Sequence, residues 1–310
     1  MQIMPLLPYS LAIPFPGKYT LRMNGEEPEN KADSAPDGER IEWHPAFFEA
    51  IKMELEEYGD KLSFISEYQL TAQPLRIDVV IVKKTGDVPV KKNIAAIFRQ
   101  INILEYKSPD DYVSVKDFYL VYGYACLYMA LNGTDVNEMT LTFMQSGRPR
   151  ELFAHLQEKR GFTIEEKSAG IYTVTGDILP IQVIDTQRLS PEENLWLRDL
   201  DNRLDAAETR RITTEIYKLE KVVQIGAYLD AVMRANAKSF KEAMEMSDTA
   251  ITFDQLMEDV GLAAKWRDRG EEKKAREIAI KLLGNGISLE QTAQLCGLDI
   301  ADVRKLSENN

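Results

Sequence analysis

Asp78 interrupts the apolar segment RIDVVIVKK (76–84), and Glu105 and Lys107 close the next one, in INILEYKSP (101–109). An ionisable group inside such a segment is costly unless it is paired or binds a metal. Glu105 and Lys107 are two residues apart, so strand alternation points both at one face. If the two segments are neighbouring strands, Asp78, Glu105 and Lys107 converge at one end of a sheet. Two carboxylates suit Mg²⁺ (or Mn²⁺), a hard cation that keeps several waters and bridges to phosphate oxygens. The ion would acidify a bound water and neutralise a leaving oxygen, while Lys107 orients the nucleophile or the scissile phosphate. The chemistry implied is metal-assisted phosphodiester hydrolysis. The same residues admit a structural reading in which Lys107 simply neutralises Asp78.

The elements that must carry these residues can be read around them. A helix is expected from about Pro45 to Gly59, with Phe47, Phe48, Ile51, Leu55 and Tyr58 on one stripe. At 100° steps Glu54 is the carboxylate nearest the centre of that stripe, which makes it the candidate fourth member of the constellation. Strands follow at 62–70, 76–84 and 95–106. Ser114 and Asp117 then form an S-x-x-D capping box before a helix over 115–131, and EMTLTFMQS (138–146) reads as another strand. Further strand-like segments surround Gly170 and Gly176 within 162–187. The order is that of an α/β layer structure.

From Ser190 the pattern is almost continuously helical. It fits either an antiparallel helical pair or a dimerising arm, so a homodimer through the helical C-terminal region is one expectation. The domain reading is an α/β domain over 1–189 with a mobile polar loop at 23–40, a helical connector over 190–270, and a small helical module over 271–310. In that last module Ala293, Gly297 and Val303 have helix-turn-helix spacing, with Ser288 and Asp299 where N-caps belong. Its second helix offers only Arg304 and Lys305 beside Asp302 and Glu308, so a packing role competes with DNA reading.

The succession of helix, strand, strand with Asp, strand with E-x-K, helix and strand resembles the core of the PD-(D/E)XK nuclease superfamily. The segments IDVVIVKK, INILEYKSPDDY and DFYLVYGYACLY are similar to its recombination-promoting nuclease (Rpn) and transposase-like branch. The resemblance spans roughly residues 40–190. It implies a restriction-endonuclease-like mixed sheet flanked by helices, followed here by an all-helical C-terminal region. It further implies a Mg²⁺- or Mn²⁺-dependent DNA endonuclease in a recombination, mobile-element or defence context. The family's metal-binding Asp maps to Asp78, its E-x-K to Glu105 and Lys107, and its helix carboxylate to Glu54. Ile77 stands where the nominal proline would. A catalytically silent interaction scaffold on the same fold is the alternative.

Composition excludes much else. The 310 residues contain two cysteines, Cys126 and Cys296, and two histidines, His44 and His155. Disulfide frameworks, Cys zinc sites and HExxH proteases are therefore out, and a cytoplasmic location is expected. No Rossmann or P-loop glycine signature and no GxSxG elbow occurs. No apolar run approaches the ~20 residues of a membrane helix, so no membrane partner is expected. The formal charge of −12 means that DNA contact needs a local basic patch or a bridging metal. Lys83, Lys84, Lys91 and Lys92 form the best such cluster. Tyr119, Tyr122, Tyr124 and Tyr128 decorate the 115–131 helix, chiefly as sheet-packing aromatics.

Overall fold

The computed structural model describes residues 41–69, 76–83, 90–216, 218, 225–245, 255, 257–258 and 261–308. The polar loop expected at 23–40 and Lys84 lie outside the described residues. Seven strands form one mixed sheet: β1 (Leu62–Gln69), β2 (Arg76–Lys83), β3 (Ile101–Tyr106), β4 (Met139–Gln145), β5 (Thr163–Ser168), β6 (Ile171–Thr175) and β7 (Ile181–Asp185). Their spatial order is β1-β2-β3-β4-β7-β6-β5. The β3–β4 and β4–β7 pairs are parallel, and the flanking pairs on both sides are antiparallel. The central parallel strands β4 and β7 are buried throughout, as strands covered on both faces must be.

One face of the sheet carries α1 (Trp43–Glu54) and the other α2 (Val115–Asn132) and α3 (Arg150–Arg160). α2 starts at the anticipated capping box, with Ser114 Oγ accepting from the Asp117 N–H at 3.1 Å. It ends at Gly133, whose φ of 66° is the left-handed conformation a C-cap needs. Tyr124 and Tyr128 are buried against the sheet, as expected of aromatics on its inner face. α3 was not anticipated, because its three buried residues Leu152, Phe153 and Leu156 are set among charges.

The segment after residue 190 packs against the α/β layer. It forms α4 (Pro191–Arg198), α5 (Ala206–Ile216), α6 (Gly226–Ala235) and α7 (Ala237–Glu245). Leu195, Trp196, Leu197, Ile212, Ile216, Tyr228, Leu229 and Val232 share one core with Phe47 and Ile51 of α1 and Val79, Ile81 and Leu104 of the sheet. Each fully buried side chain of this size contributes about 1.5–3 kcal/mol, so these helices belong to the stability of the α/β layer itself. Residues 41–310 accordingly form one compact unit.

The C-terminal helices are α8 (Leu262–Gly284), α9 (Leu289–Cys296) and α10 (Ile300–Glu308). The α9–α10 turn has the anticipated geometry. Gly297 has φ 66°, the Ser288 Oγ accepts from the Gln291 N–H at 3.2 Å, and Asp299 Oδ1 accepts from the Ala301 N–H at 2.7 Å. Val303 is fully buried beneath it. α8 begins before residue 271, at Leu262, and is bound to α6 through Asp230. Among the described residues, no helix is long and apolar enough to cross a membrane.

Candidate active site

The β2–β3 register ends with Val79 paired to Leu104, and continued by one residue it sets Asp78 opposite Glu105. Directly opposed residues share a face, with Cβ atoms about 4.5–5.5 Å apart. The ladder does not end with an idle amide. The Tyr106 N–H donates to Asp78 Oδ2 at 2.9 Å, so the Asp78 carboxylate is tied to the strand that carries Glu105. Tyr106 itself is buried on the other face, stacked on Phe47 of α1 with ring centroids 4.4 Å apart. That contact brings the first turn of α1 to the sheet end, where His44 Nδ1 lies 3.3 Å from Asp78 Oδ1.

Lys107 follows β3 directly. Its Nζ stands 3.3 Å from Glu105 Oε1 and 3.0 Å from Asp117 Oδ1. Asp117 is the capping-box residue of α2, and its other oxygen accepts from the Ser114 backbone N–H at 2.8 Å and from the Ser114 hydroxyl. The helix cap thus doubles as the clamp on the lysine. Side-chain exposure is 16% for Asp78, 13% for Glu105 and 17% for Lys107, so these charges act through a low dielectric.

Two carboxylates in such a place repel. Burial and the charge of Asp78 push the Glu105 carboxyl up to about 8, against the pull of Lys107. Burial would depress the Lys107 ammonium, but Glu105 and Asp117 hold it well above the usual lysine range. Burial likewise disfavours the Asp117 carboxylate, yet its bonds to Ser114 and Lys107 lower it overall. The hydrogen bond to Asp78 raises His44 against its own desolvation. Burial, with Glu105 and Asp78 behind it, raises the nearby Tyr124 hydroxyl.

The structure therefore brings Asp78, Glu105 and Lys107 together, and it places Glu54 elsewhere. Glu54 is at the opposite end of α1 from His44, about 15 Å along the helix axis at 1.5 Å per residue. Its Oε1 accepts from the N–H groups of Trp196 at 2.7 Å and Leu197 at 3.1 Å, and its Oε2 pairs with Lys92 Nζ at 2.9 Å. α4 is interrupted at Asn194, where φ is −140° and ψ 50°. The turn that restarts there has unpaired N–H groups, and Glu54 caps them from α1. The carboxylate turns inward, as its position on the stripe indicated, but to hold a helix end. The lysine cluster is also partly committed: Lys83 Nζ donates to the Phe98 carbonyl at 3.0 Å, and Lys92 is bound to Glu54.

His44 and Asp117 are the site residues that sequence reasoning passed over. Asp117 was legible as a cap, and its second role depends on how closely Lys107 approaches. The donor set is of the kind a hard divalent cation takes: two carboxylates, one of which, Asp78, raises the other, Glu105, by its charge. Among the described residues, no group of three or more His, Cys, Asp or Glu side chains is arranged around one ion position. One or two carboxylates are what Mg²⁺ ordinarily takes from protein, with water and phosphate oxygens completing the shell.

Comparison with protein-family models, with curated proteins and with solved structures finds no match. The functional reading rests on this geometry and on the sequence pattern that led to it.

Proposed function

We propose that the chain is a metal-dependent DNA endonuclease built on a PD-(D/E)XK-like α/β core. The observation that carries this reading is the opposed Asp78–Glu105 pair with Lys107 at 3.3 Å from Glu105. Asp78 and Glu105 would hold Mg²⁺ or Mn²⁺, which supplies charge to a phosphate and acidity to a bound water. Lys107 then orients the attacking water and stabilises negative charge as it develops on the phosphate. Asp117 fixes the direction of Lys107, and His44 with the Tyr106 N–H fixes Asp78.

The test is plasmid nicking by the purified chain with Mg²⁺, with Mn²⁺ and with a chelator, in parallel with calorimetric metal titration. Cleavage that needs the ion and disappears in Asp78→Asn and Glu105→Gln supports the reading. Absence of ion binding and of cleavage in the parent chain overturns it.

A scaffold reading is favoured by one specific feature. His44, the Tyr106 N–H, Lys107 and Asp117 already give each charged group of the cluster a partner without any ion. On that reading the parent chain binds no divalent cation, which the same titration decides.

A further inference from the structure

α2 is apolar on both of its faces. Phe118, Val121, Tyr124, Ala125 and Tyr128 are buried towards the sheet. Yet beyond Lys116 in its first turn the opposite side carries no charge: between Asp117 and Asn132 there is no acidic or basic residue, in a chain of which 28% is charged. A helix that is apolar all round is normally covered all round. At 100° per residue Tyr119, Leu120, Gly123, Leu127, Ala130 and Leu131 fall within a sector of about 120°. Tyr119 is 42%, Leu120 44% and Leu131 60% exposed. A Cβ built on Gly123 would meet nothing within 4 Å, and Cys126 beside it is exposed.

We propose that this face is the contact with a second copy of the same chain, in which two α2 helices pack antiparallel about a two-fold axis at the level of Ala125. The face is complementary to itself in that register, as a two-fold contact requires. Leu127 of each copy enters the gap over Gly123 of the other, Tyr119 covers Ala130, and Leu120 meets Leu131. Lys116, the one charge on the stripe, reaches the other copy's Asn132–Gly133, where the last helix carbonyls carry partial negative charge. The Cys126 side chains of the two copies flank the axis. A nucleic-acid strand is the poorer occupant, because phosphates need several Lys or Arg side chains, and this face offers Lys116 together with Arg160 at its Tyr119 edge, the latter paired with Asp177. A single pair of helices is small beside standard interfaces of ~1,200–2,000 Å², so the dimer is expected to be reversible and concentration-dependent. The proposal stands apart from the nuclease reading, since it uses no residue of the site.

The experiment is sedimentation velocity of the full chain over a concentration series. The parent should pass from monomer to dimer. Leu120→Glu should remain monomeric with an unchanged far-ultraviolet circular dichroism spectrum, because Leu120 is exposed in the single chain. Gly123→Gln gives a second, oppositely signed check. It fills the gap and should abolish the dimer, while glutamine's better helix propensity should leave the monomer at least as stable. In a Cys296→Ser background, a short bismaleimide should link two chains through Cys126, and Cys126→Ser should prevent it. A parent that stays monomeric throughout overturns the proposal. So does a dimer that survives both Leu120→Glu and Gly123→Gln, which would assign the contact to another surface. A monomeric parent whose DNA binding is lost in Leu120→Glu would give the face to nucleic acid instead.

Discussion

Lys107 Nζ lies 3.0 Å from Asp117 Oδ1, so the cap of α2 sets the position of the lysine in the candidate site. Removing the lysine and removing its clamp should therefore differ. Lys107→Ala should lower cleavage by roughly 10²–10³-fold, the usual loss when one positioned donor is deleted, while ion binding persists through Asp78 and Glu105. Asp117→Asn keeps a hydrogen-bonding cap but loses the charge that holds Lys107. It should reduce cleavage less and leave ion affinity unchanged. Single-turnover cleavage with parallel metal titration separates the two, and equal loss of ion binding in both variants would show that the cluster is merely structural.

The metal-free chain should carry a pH-dependent penalty at Glu105. Its folded carboxyl is raised to about 8, whereas an unfolded glutamate titrates near ~4.3. The folded state therefore holds a proton that the unfolded state gives up. Stability falls as pH rises between these two values and is lowest above the upper one. Glu105→Gln should abolish that slope, and Mg²⁺ should suppress it in the parent. Urea melts of both chains across this range, with chelator and with Mg²⁺, supply the comparison. A parent and variant with identical slopes would remove the basis for a cation between the carboxylates.

How much of this was legible beforehand depended on how local each signal is. Asp78 in an apolar run and Glu105 two residues before Lys107 are strand-period signals, and the Ser114–Asp117 box lies within one turn; all five residues sit where local rules place them. Glu54 shows the limit. Its helical angle indicated that it turns inward, but the partner it meets there, the restarted turn at Trp196 and Leu197, is 142 residues away in sequence. No period encodes that. The 191–245 helices posed the same difficulty, since an amphipathic stripe does not say whether it covers its own sheet or another chain. His44 carries no local signal beyond being one of two histidines, and its role depends on Phe47 stacking on Tyr106.

Glu54 supplies the prediction that separates the two ends of α1. Glu54→Ala leaves two N–H groups of α4 and Lys92 without their partner, at a cost of about 1–3 kcal/mol for the unsatisfied groups. The Asp78–Glu105 geometry should not change, so ion affinity and cleavage measured well below the melting temperature should match the parent. Loss of ion binding in Glu54→Ala, with the fold intact, would return Glu54 to the site.

Asp230 on α6 ties the C-terminal helices to the α/β layer. Its carboxylate, 4% exposed, accepts two hydrogen bonds from Arg269 Nη1 at 2.7 and 2.9 Å, one from Trp266 Nε1 at 2.7 Å and one from Lys265 Nζ at 3.1 Å. Burial alone would raise its pKa, but these three α8 residues lower it overall. A folded value below the unfolded one means that the contribution is complete above the ordinary aspartate range near ~3.9. It is then lost as pH falls through that range to the depressed folded value. Breaking a buried pair from one side costs about 3–5 kcal/mol, and the partial exposure of Lys265 and Arg269 puts Asp230→Ala at the lower end. The variant should melt earlier at neutral pH, and the difference from the parent should shrink on acidification. Trp266 fluorescence should report α8 separating from α6 before or with the main transition. A variant as stable as the parent at neutral pH would show that the apolar contacts of Leu262 hold α8 in place without this carboxylate.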